Sequence, residues 1–262
     1  MTKKWIVLGA CFMFLKVGAV SAKTPQKHVW ELGISVSNIA YKEPGVMEEA
    51  GMFFGINGSY AYHNKIMLKS EGKFAWGQVD YDGAYANGAP LTIDDIPDYM
   101  WEFRGLCGYD FPKSNGVIFT PYVGIGYRYL NDGLQKQSGG YERESRYYYS
   151  PIGIKFVSNS KTGWSVGATL EYDIFWGGLQ VSHFSDSDPK YNDFENDQTG
   201  GYGCRASVKF QKKNIIIEPY LNCWAIDVSK TAILTYDGAP KQTMVEPDNH
   251  SVETGITFAI KF

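Results

Sequence analysis

The chain has 262 residues, 25 Lys and Arg against 28 Asp and Glu, and a net charge of −3 at pH 7. That balance lacks the basic surplus of a nucleic-acid-binding domain, and no apolar run is long enough to cross a bilayer as a helix. Aromatic residues make up 16% of the chain and glycines number 29, which suits a transmembrane barrel with aromatics at its interfaces and small residues in a narrow lumen.

The N-terminus reads as an export signal. Lys3 and Lys4 precede the apolar stretch Trp5 to Leu15, and Val20-Ser21-Ala22 offers small residues for cleavage before Lys23. Residues 1–22 are therefore assigned to a cleaved signal peptide and 23–262 to one β domain. Leu8-Gly9-Ala10-Cys11 resembles a lipoprotein cleavage box, but few apolar residues precede the cysteine and apolar residues continue beyond it, so ordinary cleavage is expected. Losing Lys3, Lys4 and Lys16 takes the net charge from −3 to −6. Cys107, Cys204 and Cys223 remain, without CxxC spacing. They read as small apolar residues facing lipid, not as a disulfide framework or a zinc site.

About ten segments of alternating polarity follow, each with one set of side chains for lipid and one for the lumen. The first sets Trp30, Leu32, Ile34 and Val36 against Glu31, Gly33, Ser35 and Ser37. The second sets Met52, Phe54, Ile56, Tyr60 and Tyr62 against Gly55, Asn57, Ser59 and Ala61. The third opposes Ile66, Leu68, Phe74 and Trp76 to Lys69, Glu71 and Lys73, and the fourth opposes Trp101, Phe103, Cys107 and Tyr109 to Glu102, Arg104 and Asp110.

In the fifth, Phe119, Pro121, Val123, Ile125, Tyr127 and Tyr129 face out, with Tyr122, Gly124, Gly126 and Arg128 inward. The sixth alternates Tyr148, Ile152, Ile154 and Phe156 with Tyr147, Tyr149, Gly153 and Lys155. The seventh runs from Trp164 to Trp176, and Gly177-Gly178 then reads as a bulge that shifts the phase. The eighth carries Tyr202, Cys204, Ala206, Val208 and Phe210 outward. The ninth spans Ile215 to about Val228, and the last is Ser251 to Phe262, ending on an aromatic residue. Long and short connections alternate throughout, which fits extracellular loops and periplasmic turns. Pro121, Pro151 and Pro219 lie inside predicted strands, where bulges or strand ends are expected because each lacks a ladder donor.

A barrel of this size has a lumen that side chains largely fill. The inward charges, among them Lys69, Glu71, Lys73, Glu102, Arg104, Arg128, Lys155, Glu171, Asp173, Arg205, Lys209, Glu218 and Glu253, are expected to pair with one another. The predicted loops Gly77–Pro97 and Phe184–Thr199 are acidic, and such a rim would attract cations or basic peptides. Asp80 and Asp82 share a side of the third strand if that strand continues, and His183 with Asp186 follows the seventh. Facing across the mouth, two such pairs would suit water activation. Asp248-Asn249-His250 forms a further Asp/His couple. Phosphate loops and metal-ligand spacings are missing, so neither a cofactor nor a metal is expected.

The stretches Tyr41-Lys42-Glu43-Pro44-Gly45, Val79-Asp80-Tyr81-Asp82-Gly83, Ile96-Pro97-Asp98-Tyr99, Pro121 to Tyr129 and Gly140 to Gly153 resemble a broad family of small proteobacterial outer-membrane barrel proteins. That resemblance implies location and fold and carries no activity. The strand count and loop rhythm are also similar to the omptins, ten-stranded surface endopeptidases. The second resemblance implies an Asp-x-Asp pair in the second outer loop, where Asp80 and Asp82 stand, and an Asp-x-His pair in the fourth. There Asp186 falls on the aspartate, but Asp188 occupies the histidine position, His183 lies upstream, and the Trp-Thr-Asp signature is absent.

The expected protein is all-β: a closed, antiparallel, monomeric transmembrane β-barrel of the cell outer membrane with short periplasmic turns and long extracellular loops. Outer-membrane lipids and lipopolysaccharide are its surroundings, and no nucleic acid is expected as a partner. A non-catalytic structural or surface-interaction role is the leading expectation. An omptin-like endopeptidase using Asp80, Asp82, His183 and Asp186 is the alternative, and an adhesin or small-solute channel is a third.

Overall fold

The computed structural model describes residues 26–84, 88–112, 116–137, 139–160 and 162–262. Residues 1–22, expected to be a signal peptide, and with them Cys11, lie outside the described residues. The strands are β1 (His28–Glu43), β2 (Met47–Asn64), β3 (Ile66–Ala84), β4 (Pro90–Tyr109), β5 (Phe111–Pro112), β6 (Val117–Asp132), β7 (Arg143–Asn159) and β8 (Trp164–Ser182). They continue with β9 (Phe194–Gln198), β10 (Gly201–Lys212), β11 (Ile215–Ile226), β12 (Ala232–Tyr236), β13 (Ala239–Met244) and β14 (Asn249–Lys261). Ten of these form a closed antiparallel ring in the order β1, β2, β3, β4, β6, β7, β8, β10, β11 and β14, with β14 returning to β1. The closing seam aligns Leu32 with Ile260 and Val36 with Ile256. Phe262 extends it, its amide donating to the Trp30 carbonyl at 2.9 Å. Closure removes the sheet edges, as a barrel in lipid requires.

The outer face carries the lipid-facing set expected from the sequence. Ile34, Phe103 and Trp176 are exposed by 62%, 60% and 57%, which only an apolar surrounding makes tolerable over so wide a band. Tyr99, Trp101, Tyr127 and Tyr129 pack ring against ring along the wall near its long-loop end, where amphipathic rings suit the headgroup level.

Above this belt the polarity of the two faces inverts. In β3 the outward series Phe74 and Trp76 continues as Gln78, Asp80 and Asp82, while inward Ala75 and Val79 are buried. In β1, Asn38 and Lys42 face out while Ile39 and Tyr41 are buried. The strands thus rise past the membrane, and much of the stretch 77–97 expected to be a loop is strand. The connections that remain long at this end are residues 133–142, 183–193 and 227–248. The last contains the hairpin β12–β13, which leans on the β8–β9 connection through a Tyr191–Tyr236 bridge. Asn192 Oδ1 there accepts from the Thr235 amide and hydroxyl.

Pro151 and Pro219 produce neither the expected bulge nor a strand end, and at Pro121 it is the neighbouring strand that breaks, between β4 and β5. Each proline leaves a two-pair gap in one ladder at unchanged register. Pro121 separates β4 from β5, whose pairing with β6 resumes at Phe111 and Phe119. Pro151 interrupts β6–β7 between Val123/Ile152 and Gly126/Tyr149. Pro219 interrupts β10–β11 between Ser207/Tyr220 and Phe210/Ile217. A missing N–H affects only one neighbour, and the opposite ladder holds the strand in place. The expected phase shift does occur beside Gly177, where Tyr148 pairs Gly177 and Tyr149 pairs Phe175, leaving Trp176 as the extra residue.

Candidate functional site

The bore is divided into layers. A cavity of about 1080 Å³ fills the half nearest the short turns and reaches the rim at Gln26, Ser160, Gly163 and Lys213. The lumen is therefore not filled throughout as expected: Gly33, Ser59, Ala61, Ser165, Gly167 and Ala259 line this half and are too small to occupy it. Charges of both signs face the cavity, with Lys69 on Glu71 at 2.5 Å and Lys209 on Glu31 at 2.8 Å and on Glu218 at 3.3 Å.

A belt of ion pairs crosses the barrel at mid-height. Arg205 of β10 reaches Glu102 of β4 through both terminal nitrogens, at 2.8 and 2.5 Å. Its Nε lies 2.8 Å from Asp173 and 3.2 Å from Glu171. Arg104 pairs with Glu171 and, at 3.2 Å, with Glu71, and Lys73 pairs with Glu253. The expected pairing of inward charges thus appears as defined contacts for these residues, while Arg128 lies over the Tyr147 ring. Directly above, Tyr147, Tyr149, Phe175, Trp224 and Ile226 pack into one buried cluster, and Ile39, Phe53, Ala75, Val79, Ile96 and Met100 into another.

Near the long-loop end the interior turns acidic. Arg143 contacts Glu43 at 2.7 Å and Glu246 at 2.6 Å, and the Tyr41 hydroxyl also donates to both. Beside them Glu49, Asp98 and Asp132 are buried. Asp98 accepts from the Gly133 amide and Asp132 from the Leu134 amide. Glu49 Oε1 and Asp132 Oδ2 have no hydrogen-bond partner among the described residues. No sequence spacing marks this group, because its members come from separate strands and connections that meet only across the curved sheet, with Asp98 paired to Asp132 between β4 and β6.

Glu246, in the β13–β14 connection, supplies a pH test. Burial raises its carboxyl, Arg143 opposes this and Glu43 adds to it, and the result is a value of about 6 against an ordinary 4.5. Between these values the folded state binds a proton that the unfolded chain has released, so stability falls as pH rises through the window. The loss is complete above about pH 6 and amounts to roughly 2 kcal/mol. Unfolding in detergent from pH 4 to 7 is expected to show that decline in wild type, flattened in Glu246→Gln. An unchanged slope in the variant would remove Glu246 as its source.

The four residues singled out from the sequence do not converge. Asp80 and Asp82 do share one side of β3, but it is the outer side, and both are exposed. Asp80 Oδ1 accepts from the Asp95 amide at 3.1 Å. Asp95 has φ +59° and lies with Asp94 opposite Asp80 where the β3–β4 register shifts. Asp80 therefore satisfies the amide of a bulge.

His183 follows β8, four strands further round, with β4, β6 and β7 between. Its ring nitrogens meet Asp193 at 3.3 Å and Glu144 at 3.1 Å, not Asp186. Burial weakens its hold on the proton, but the bonds to Glu144 and Asp193 outweigh this and raise its pKa. Asp186 accepts from the Glu142 amide at 3.0 Å. Glu142, Glu144 and His183 offer ligand atoms within 4.8 Å of one another, a grouping with the donor types of a divalent-cation site. Sequence spacing gave no sign of it because the histidine lies on another strand connection. Asp248 and His250 are both exposed.

Residues 9–210 match the family model described as outer membrane protein beta-barrel domain. The chain belongs to that family. The family and the closed ring together place it in the outer membrane, with lipid around its wall. Among solved structures it is similar to the outer membrane protease OmpT from Escherichia coli, with 11% identity and a TM-score of 0.60 over 93% of this chain and 99% of that one. It is also similar to the toluene transporter TodX from Pseudomonas putida, with 10% identity and a TM-score of 0.36 over 91% and 89%. The translocator domain of the autotransporter NalP from Neisseria meningitidis gives 10% identity and 0.38, over 89% of each chain. No curated protein matches the sequence. At 11% identity the likeness to OmpT is one of fold.

Proposed function

We propose that this outer-membrane barrel has a non-catalytic structural or surface-interaction role, exercised by the acidic outer surface of its extended strands. The observation that carries this reading is the outward placement of Glu48, Asp80, Asp82, Asp94 and Asp95, all exposed on neighbouring strands above the lipid-facing belt. Lys42 pairs with Glu48 at 2.7 Å. The other four carboxylates form a one-sign patch that favours cations or basic peptides by long-range attraction. The crossed bore and the separation of Asp80 and Asp82 from His183 weigh against a conduit and against paired water activation. The aromatic girdle at the same end is the surface offered to outer-membrane lipid and lipopolysaccharide. The working unit is a monomer comprising residues 23–262, released by cleavage after Ala22.

One assay separates the readings. A basic fluorogenic peptide added to the refolded protein in detergent is expected to gain anisotropy and stay uncut. The gain should weaken as salt rises and drop in an Asp82→Asn, Asp94→Asn double variant. Cleavage of the peptide, abolished by Asp82→Ala, would replace this reading with an endopeptidase. A salt-independent signal would remove the acidic patch from the account.

A further inference from the structure

The β10–β11 ladder places Cys204 directly opposite Cys223. Residues facing one another in an antiparallel pair project to the same side, with Cα atoms about 4.5 or 5.5 Å apart depending on the pair type. Both separations lie inside the range of roughly 4.4–6.8 Å that a disulfide requires. Each thiol is partly exposed on the outer wall. Cys204 is flanked by Tyr172 across the β8 ladder and Cys223 by Val252 across the β14 ladder. Cys107 is exposed on β4, away from both.

The place of the pair in the hairpin gives it a purpose. Pro219 leaves the β10–β11 ladder without its pairs between Ser207/Tyr220 and Phe210/Ile217, and Cys204/Cys223 lies three pairs beyond Ser207/Tyr220 on the long-loop side. We propose that Cys204 and Cys223 form a cross-strand disulfide that staples this interrupted hairpin, made while the exported chain is still in the oxidising periplasm. The oxidant is a protein disulfide of the thiol-oxidase class. The Cys204 thiolate attacks one sulfur of that disulfide, forming a mixed disulfide and expelling the other sulfur as a thiolate. The Cys223 thiolate then attacks Cys204 Sγ, closing the Cys204–Cys223 bond and releasing the oxidase as a dithiol. Two cysteine thiols are oxidised, one disulfide is reduced, and the protons pass to the departing thiolates. Cys107 is left as the odd free thiol.

The test uses protein extracted from outer membranes, alkylated in denaturant with one reagent, then reduced and alkylated with a second. Peptide mass spectrometry is expected to find the first label on Cys107 and the second on Cys204 and Cys223. The unreduced pair of peptides should be joined and lighter by two hydrogen atoms. Cys223→Ser should move Cys204 to the first label, and Cys107→Ser should leave the link intact. Because the bond is made before insertion and labels are read in denaturant, a variant that fails to insert is taken from the periplasmic fraction, labelled in the same way, and still reports. First label on all three cysteines, or a link through Cys107, would overturn the proposal.

Discussion

Arg205→Ala is expected to destabilise the barrel by about 3–5 kcal/mol, because it removes the partner of buried carboxylates and leaves them charged. Arg205 contacts Glu102, Asp173 and Glu171 and also donates to the Tyr149 hydroxyl at 3.1 Å. Asp173 is fully buried and the Glu171 side chain is 1% exposed, so water cannot take over the role of the guanidinium. The two nitrogens on Glu102 form a bidentate fork that lysine cannot reproduce, so Arg205→Lys should recover only part of the loss. The link runs from β10 across the bore to β4 and ties opposite walls, which makes it more than a local pair. Urea unfolding from detergent micelles reads the effect as a lower midpoint at unchanged slope. Pairing Arg205→Met with Glu102→Leu should destabilise less than the sum of the single changes, since removing both charges avoids stranding either. An unshifted midpoint in Arg205→Ala would mean that the belt does not hold the walls together.

The ring itself was legible because the lipid side of each strand must be continuously apolar, and period-two runs such as Trp164 to Trp176 carry that demand in the sequence. What was lost lies where the demand reverses. Gln78, Asp80 and Asp82 face water while Val79 faces a packed interior, so a template with oily residues outside stops at Trp76 and assigns the remainder to a loop. This reversal also misplaced the candidate aspartates. Their spacing correctly put them on one side of a strand, but the sequence does not say that this side had already left the membrane. The acidic group around Glu49, Asp98 and Asp132 and the cluster of Glu142, Glu144 and His183 were hidden for another reason. The first gathers residues from several strands around the curved sheet, and the second depends on the register of the β7–β8 pair, which sets His183 beside Glu142; no local pattern records either.

Gly153→Val should destabilise the barrel by roughly 3–5 kcal/mol through a device used three times in its wall. Tyr122 of β6 lies opposite Gly153 of β7, and Tyr149 of β7 lies opposite Gly126 of β6. Tyr220 and Gly255 repeat the arrangement across β11 and β14. In each case the tyrosine ring lies over the glycine: a Cβ on Gly153 would sit 2.3 Å from Tyr122 Cζ, and one on Gly126 would sit 2.2 Å from Tyr149 Cζ. The folded-over rings bring their hydroxyls to the ion-pair belt, Tyr122 to Glu171 at 2.7 Å, Tyr149 to Glu102 at 2.6 Å and Tyr220 to Glu253 at 2.8 Å. A side chain at position 153 lifts the Tyr122 ring off the wall, with an overpacking penalty of about 1–3 kcal/mol. It also withdraws a hydrogen bond to a buried carboxylate, worth about 1.5–3 kcal/mol. Tyr122→Phe should lose only the second contribution. Combining Gly153→Val with Tyr122→Ala removes the ring that clashes, so the double variant should be more stable than additivity predicts. Strict additivity of Gly153→Val and Tyr122→Ala in urea unfolding would show that the glycine is not there to seat the ring.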